Sequence, residues 1–314
     1  MGVLYLGLNF GNSILSNCLS KYKSNLFRKQ TFIGTILTSI VSGIIAMLFF
    51  SILCKFNYSG INTRTILYTI YFTFGCYFSY VTSILIYNYL SIIDYMLISA
   101  PLGLIGNVLY SVLLFNEPLN TQTIISILIR SVAVFVSFLN VKKSTVLTEE
   151  QKEQKRQDRA KFKKGVILTL IITGWSIISG IVNKFYAIDL DEHRVANQNV
   201  YFFLVNVFIF VVAVVICIVS LIFKREKFIA NIKAVNKKAI PVLVVQTISS
   251  NIGSTINVIL TVLFPILVLT PLSGSISMIA AIIASLIFKE KITFFRVLAL
   301  ILTVVAAVVM VVPF

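Results

Sequence analysis

GNSILSNCLSKY, residues 11–22, and GWSIISGIVNKF, residues 174–185, are near copies of one another in the same chain. At an offset of 163 residues, Gly11 meets Gly174, Ser13 meets Ser176, Ile14 meets Ile177, Ser16 meets Ser179 and Lys21 meets Lys184. Leu15 against Ile178 and Tyr22 against Phe185 are conservative differences. A second echo follows in each half: FNEPLNTQ at 115–122 and FKEKITFF at 288–295, at an offset of 173. The ten-residue difference between the offsets is accommodated by a longer basic gap at 224–238.

Both members of the first pair lie in apolar runs, and composition explains why. Hydrophobic residues make up 58% of the 314 and charged residues only 12%, with a mean hydropathy of +0.96. Soluble chains carry about 25% charged residues, because water must be met by a charged surface. So few charges leave lipid as the solvent. About 20 apolar residues cross a bilayer core as a helix, and ten runs meet that length: 3–19, 32–54, 66–89, 93–115, 122–141, 165–186, 199–223, 239–263, 265–288 and 294–313. Lipid offers no partner to backbone N–H and C=O groups, so these runs are expected to be helices. The expected fold is an all-α polytopic membrane protein. The run 3–19 lacks a charged lead and an A-x-A cleavage site, and reads as a retained span.

The net charge of +16 is confined almost wholly to the gaps between runs. Twenty-two of the 27 Lys and Arg residues follow odd-numbered spans: Lys21, Lys23, Arg28 and Lys29, nine between Lys142 and Lys164, six between Lys224 and Lys238, then Lys289, Lys291 and Arg296. Even-numbered gaps hold Lys55, Arg64, Lys184 and Arg194. That distribution orients a membrane protein instead of binding nucleic acid. It places odd gaps in the cytoplasm and both termini outside. The longest polar stretch, KKSTVLTEEQKEQKRQDRAKFKK at 142–164, divides a first five-span repeat (1–141) from a second (165–314). Opposite charges near i,i+4 spacing make it a solvated, partly helical linker, with anionic headgroups or a partner as its alternative contacts.

Five spans are an odd number, so the second copy enters the membrane upside down relative to the first. Inverted repeats of this kind enclose a site near the bilayer midplane in many secondary transporters. Ten spans in two halves, a lysine closing the first span of each half, and the Phe-x-Glu-x-[Leu/Ile]-[Asn/Thr] phrase before the last together resemble the drug/metabolite transporter superfamily, in its EamA-type members. The resemblance covers essentially the whole chain. It implies export or exchange of small organic metabolites or drug-like solutes, through a cavity lined by spans one, three, four, six, eight and nine. It also implies a multi-pass protein of the plasma (inner) membrane, as monomer or homodimer, without cofactor or enzymatic activity. Members of that family are usually described with both termini inside, whereas the charges here put them outside.

Polar residues on those spans are the candidate substrate contacts. Asn12, Ser13, Ser16 and Asn17 form a stripe on span one, and Trp175, Ser176, Ser179 and Asn183 a similar one on span six. Tyr80 and Tyr87 on span three and Gln246, Asn251 and Ser254 on span eight extend the set. Pro101 and Pro271 interrupt spans four and nine, and Asn107, Ser273 and Ser275 follow them, where interrupted helices mark transporter sites. Helix-to-helix hydrogen bonding is the alternative role for each.

Two charged residues are candidates for charge recognition or coupling. Arg130 lies deep within span five, either as counter-ion to an anionic substrate or paired structurally with Asp94 or helix-end carbonyls. Asp94, at the start of span four, is either solvated at the interface or a proton carrier. Glu117 and Glu290 precede Asn120 and Thr293, both good N-cap residues, and read as helix-start acids. Cys18, Cys54, Cys76 and Cys217 lack metal-ligand spacing, and His193 is the sole histidine, so no metal site is expected. There is no phosphate loop for ATP. An integral-membrane enzyme acting on lipid-linked substrates is the competing reading. Its chemistry would fall to Asp189, Asp191, Glu192 and His193.

Overall fold

The computed structural model describes residues 2–28, 30–116, 121–137, 149–263, 266–290 and 293–311. Within them the regular structure is helical: α1 (Gly2–Leu26), α2 (Thr31–Leu53), α3 (Thr63–Tyr89), α4 (Ile92–Phe115), α5 (Thr121–Ser137), α6 (Glu149–Asp191), α7 (Gln198–Lys233), α8 (Ala239–Leu263), α9 (Ile266–Ile287) and α10 (Phe294–Val311). Each apolar run expected to cross the membrane falls on one of these helices. Among the described residues six helices are long and apolar enough to span by themselves.

Burial follows the logic of a chain dissolved in lipid. Leu48, Leu113, Phe135, Ile222 and Phe223 are each more than half exposed, on helix faces. Ser39, Thr65, Thr69, Ser126, Ser285 and Thr303 are fully buried. In water that pattern would expose apolar patches far beyond what a soluble monomer carries. In a bilayer it is the expected one, because small and hydroxylated side chains let helices approach closely while apolar ones face the tails. Several of the buried hydroxyls return their protons to backbone carbonyls one turn earlier, Thr38 to Gly34 (2.7 Å), Thr69 to Thr65 (2.7 Å) and Thr303 to Ala299 (2.9 Å) among them. The protein is membrane-embedded.

Several helices outrun the apolar segments that announced them. The polar stretch before span six is helical from Glu149, continuous with α6. Charged residues at i,i+3 such as Glu153 and Arg156 support a solvated helix there. In α7 the backbone breaks from helical geometry at Lys224 (φ −142°, ψ 41°), directly after the apolar run, and resumes to Lys233. Pro101 and Pro271 lie within α4 and α9, and neither helix ends there.

The chain forms two compact units. The first comprises Met1–Cys18, Ile86–Ile177 and Gly253–Phe314; the second comprises Leu19–Leu85 and Ile178–Ile252. Each draws on both halves of the sequence, and α1, α3, α6 and α8 contribute residues to both. In the first unit α5 packs along α10 and α4 along α9. Ala133, Met278 and Ala299 join Ile93 and Leu97 in its core. Small residues draw α5 and α10 together until the Ser126 hydroxyl reaches the Ala306 carbonyl at 2.8 Å.

In the second unit α2 packs along α7. A Cβ built on Gly43 would stand 2.8 Å from Phe210 Cβ and 3.3 Å from the Asn206 carbonyl oxygen, so glycine is what permits that approach. An aromatic cluster of Tyr186, Tyr201, Phe72 and Tyr68 fills its interior, the Tyr186 and Tyr201 rings stacked at 4.3 Å.

Candidate functional site

In the first unit Asn12 and Ser16 lie on α1, half-buried, and Asn12 reaches α8 so closely that a Cβ on Gly253 would strike its amide nitrogen. Ser254, the next residue, is half-buried beside that contact. Asn107 on α4 follows Gly106, where a Cβ would collide with Ile177 of α6. Trp175 stands two residues earlier on α6, half-buried. Glycines at 106 and 253 thus bring the polar stripes of α1 and α8, and the neighbourhoods of Asn107 and Trp175, into close apposition. Tyr87 is buried against Tyr95, ring centroids 5.6 Å apart, with Ala281 and Ala284 of α9.

Arg130 is 1% exposed. Its guanidinium donates to Ser275 Oγ (3.2 Å) and lies 3.1 Å from where a Cβ on Gly274 would stand. Ser275 in turn donates to the Thr303 carbonyl of α10 at 3.4 Å. Arg130 and Ser275, 145 residues apart in sequence, therefore form one buried group joining α5, α9 and α10. Ser273, two residues before Ser275, is half-buried.

The pairing of Arg130 with Asp94 is not formed. Asp94 is engaged by Arg296 at 2.5 Å and accepts the Ser91 hydroxyl at 2.6 Å. Ser91 also caps α4, its oxygen accepting the Asp94 N–H at 3.0 Å. Glu290 accepts the Ile92 N–H (3.1 Å) and the Ser285 hydroxyl (3.0 Å). Both acids thus serve the first turn of α4, where the helix dipole and the unsatisfied N–H groups favour negative charge. Glu290 caps α4, a different helix from the one its sequence position suggests. Glu117 and Asn120 lie outside the described residues.

In the second unit the acidic cluster read from the sequence as a loop lies on the last turn of α6 and just past it, and it is held by cations. Asp189 meets Arg64 at 3.2 Å and Arg194 at 3.6 Å and accepts the Tyr68 hydroxyl at 3.0 Å, while Glu192 pairs with Arg194. Asn62 donates to the Arg194 carbonyl (2.6 Å), and Tyr186 donates to the Ala196 carbonyl (2.6 Å). His193 adopts a left-handed conformation (φ 57°) just past α6. Among the described residues no group of three His, Cys, Asp or Glu is placed to hold a metal ion.

Tyr80 is half-buried on α3 and shares a 3.0 Å hydrogen bond with Ser42 of α2. Asn251 is buried and Ser179 half-buried, on α8 and α6. Gln246 donates to Ser20 Oγ at 3.1 Å, and its own buried carbonyl oxygen has no hydrogen-bond partner.

The residue that the sequence reading passed over is Lys23. Its position in the sequence falls in the gap after span one, yet in the last turn of α1 it is only 2% exposed. Its ammonium lies 5.9 Å from the centre of the Tyr80 ring, and among the described residues no carboxylate comes within ion-pair distance of it. Burial pulls its pKa down from 10.5 to about 8. A signal was present: Ser16, Ser20 and Lys23 stand at i, i+4 and i+7, so the polar stripe on span one runs on into the lysine. The sequence matches no protein-family model and no curated protein.

Proposed function

We propose that the protein is a secondary transporter of small organic solutes, built as two inverted five-helix repeats that move by alternating access in the plasma membrane. The observation that carries this reading is the pairing of counterparts. α2 packs with α7, α4 with α9 and α5 with α10, each helix against the one five places along the chain. The compact units divide α1 and its counterpart α6, the first unit taking the earlier part of each, and α3 and its counterpart α8, the second unit taking the earlier part of each. Pairing of equivalents is what a duplicated bundle related by a two-fold axis produces.

Contacts between helix ends support the up-and-down threading. Gap two meets gap six through Asn62 and Arg194, and the start of α4 meets the end of α9 through Ile92 and Glu290. In each case gaps of like parity meet, as ten alternating spans require. The buried amides and hydroxyls of α1, α3, α6 and α8 supply the hydrogen-bonding groups with which such a protein holds a polar solute.

The experiment is flux through proteoliposomes containing the purified full chain, loaded with mixed small metabolites and assayed by mass spectrometry of the exterior. Exchange above protein-free vesicles is expected, reduced at least tenfold by Asn12→Leu, Trp175→Leu or Asn251→Leu without loss of folded protein. Flux unaltered by all three substitutions would overturn the site, and its absence for every solute would overturn the function.

A further inference from the structure

We propose that Lys23 is the anion-binding group of the second unit, and that the solute it receives is a small organic anion, a carboxylate or a phosphate ester. This deepens the transporter reading and rests on it for the solute being carried; the binding itself does not depend on transport.

A buried ammonium is costly unless an opposite charge or several acceptors surround it, and buried charges in proteins are paired as a rule. Lys23 is 2% exposed and its nearest recorded partner is an aromatic face, Tyr80, at the long end of the cation–π range. The hydroxyl of Tyr80 is taken by Ser42 (3.0 Å), and on its own helix the Ser24 hydroxyl donates to the Ile84 carbonyl (2.8 Å). Both are neutral hydroxyls, and neither brings a counter-charge to the ammonium.

The same face of α1 carries Ser20, one turn before Lys23, hydrogen-bonded to Gln246 of α8. The Gln246 carbonyl oxygen is buried without a partner. A buried cation with no carboxylate partner among the described residues, beside the polar pair of Ser20 and Gln246, describes a site whose counter-ion comes from outside the chain. A lysine selects for charge with little demand on shape, which fits either oxyanion. Tyr80 is the titratable group recorded facing Lys23, with Ser20 and Ser24 on α1, Gln246 on α8 and Ser42 on α2 as the neutral polar groups around it. With so little exposed surface, Nζ is reached when the surrounding helices part, as an alternating-access cycle provides.

The charge must be present for the site to work. Below the depressed pKa of about 8 the lysine is protonated, so anion affinity is full there and falls about tenfold for each pH step above it. An arginine in its place stays charged at any accessible pH.

The test uses the full-length protein in lipid nanodiscs, with succinate, glycerol 3-phosphate and neutral succinamide as probes and the shift in unfolding temperature as readout. At pH 7 either anion raises the unfolding temperature of the wild-type protein and succinamide does not. At pH 9.5 the anion effect weakens by tenfold or more in concentration dependence. In Lys23→Arg it persists at pH 9.5, in Lys23→Met it is lost at both, and in Lys233→Met it is unchanged. Which anion responds assigns carboxylate or phosphate. No shift with either anion at pH 7, or the same shift in Lys23→Met, overturns the proposal. If Lys23→Met does not fold, a wild-type response that is flat between pH 7 and 9.5 overturns it equally. Anion binding without flux in proteoliposomes would sink the transporter reading alone, and flux of neutral solutes untouched by Lys23→Arg and Lys23→Met would sink this one alone.

Discussion

Replacing Lys23 by methionine is expected to stabilise the protein. The lysine's pKa falls from 10.5 to about 8 on folding, because burial opposes its charge. At about 1.4 kcal/mol per pH unit, that difference corresponds to about 3 kcal/mol of destabilisation wherever the group is charged in both folded and unfolded states. The sign follows from proton counting. Below pH 8 both states hold the proton and the full cost is present. Between pH 8 and 10.5 the folded state has released it while the unfolded state has not, so stability rises with pH. Above 10.5 both are neutral and the cost is gone. Methionine has a similar length and no charge, so Lys23→Met should gain about 3 kcal/mol at pH 7, or roughly 5 °C in unfolding temperature for a chain of this size. The measurement is the difference between wild type and variant in anion-free buffer across pH 7 to 10.5. It should shrink steadily above pH 8, since titration of every other group cancels. A variant less stable than wild type at pH 7, with a difference independent of pH, would refute the argument and show that Lys23 has found a partner.

Two further outcomes test the architecture. Gly43→Val places branched carbons where Phe210 Cβ already stands 2.8 Å from an added Cβ, and the α2–α7 contact should weaken by about 1–3 kcal/mol, read as a lower unfolding temperature, whereas Gly11→Ala, with nothing within 4 Å, should cost less than about 1 kcal/mol. Cysteines introduced one at a time into a cysteine-free background should label from opposite sides in intact cells: Ser59→Cys, in gap two, from outside, and Asn236→Cys, in gap seven, after permeabilisation. Labelling of both from one side would remove the topology drawn from the loop charges.

Hydropathy located every helix because the cost of unpaired backbone in lipid forces a long apolar run to be helical, whatever packs beside it. The predicted run 239–263 and α8 coincide at both ends. The errors lie where water replaces lipid as the solvent. There the helix continues on local propensity and charge pairing, so α1 reaches Leu26, α6 starts at Glu149 and α7 goes on past Lys224. Ion pairs were illegible for a different reason. Asp94 and Arg296 are 202 residues apart, and nothing in either neighbourhood names the other. Ser275 and Arg130 were both singled out, one by a nearby proline and the other by its depth, but that they touch follows only from α5 and α9 flanking α10. Lys23 was misplaced because counting loop charges treats every cation beyond an apolar run as solvated, while helical phase, which carries the polar stripe of α1 on to that residue, was not extended past the run.

The helix that opens at Glu149 is unbroken into the apolar part of α6, with Arg156–Lys161 exposed to water. That leaves about 18 Å of rod before Phe162, which packs against Ile86, Leu90 and Ile98. A helical marker protein spliced in phase onto Glu149 would inherit the orientation of the rod, giving a 35.1 kDa membrane-embedded molecule a feature by which single particles can be aligned in an electron microscope.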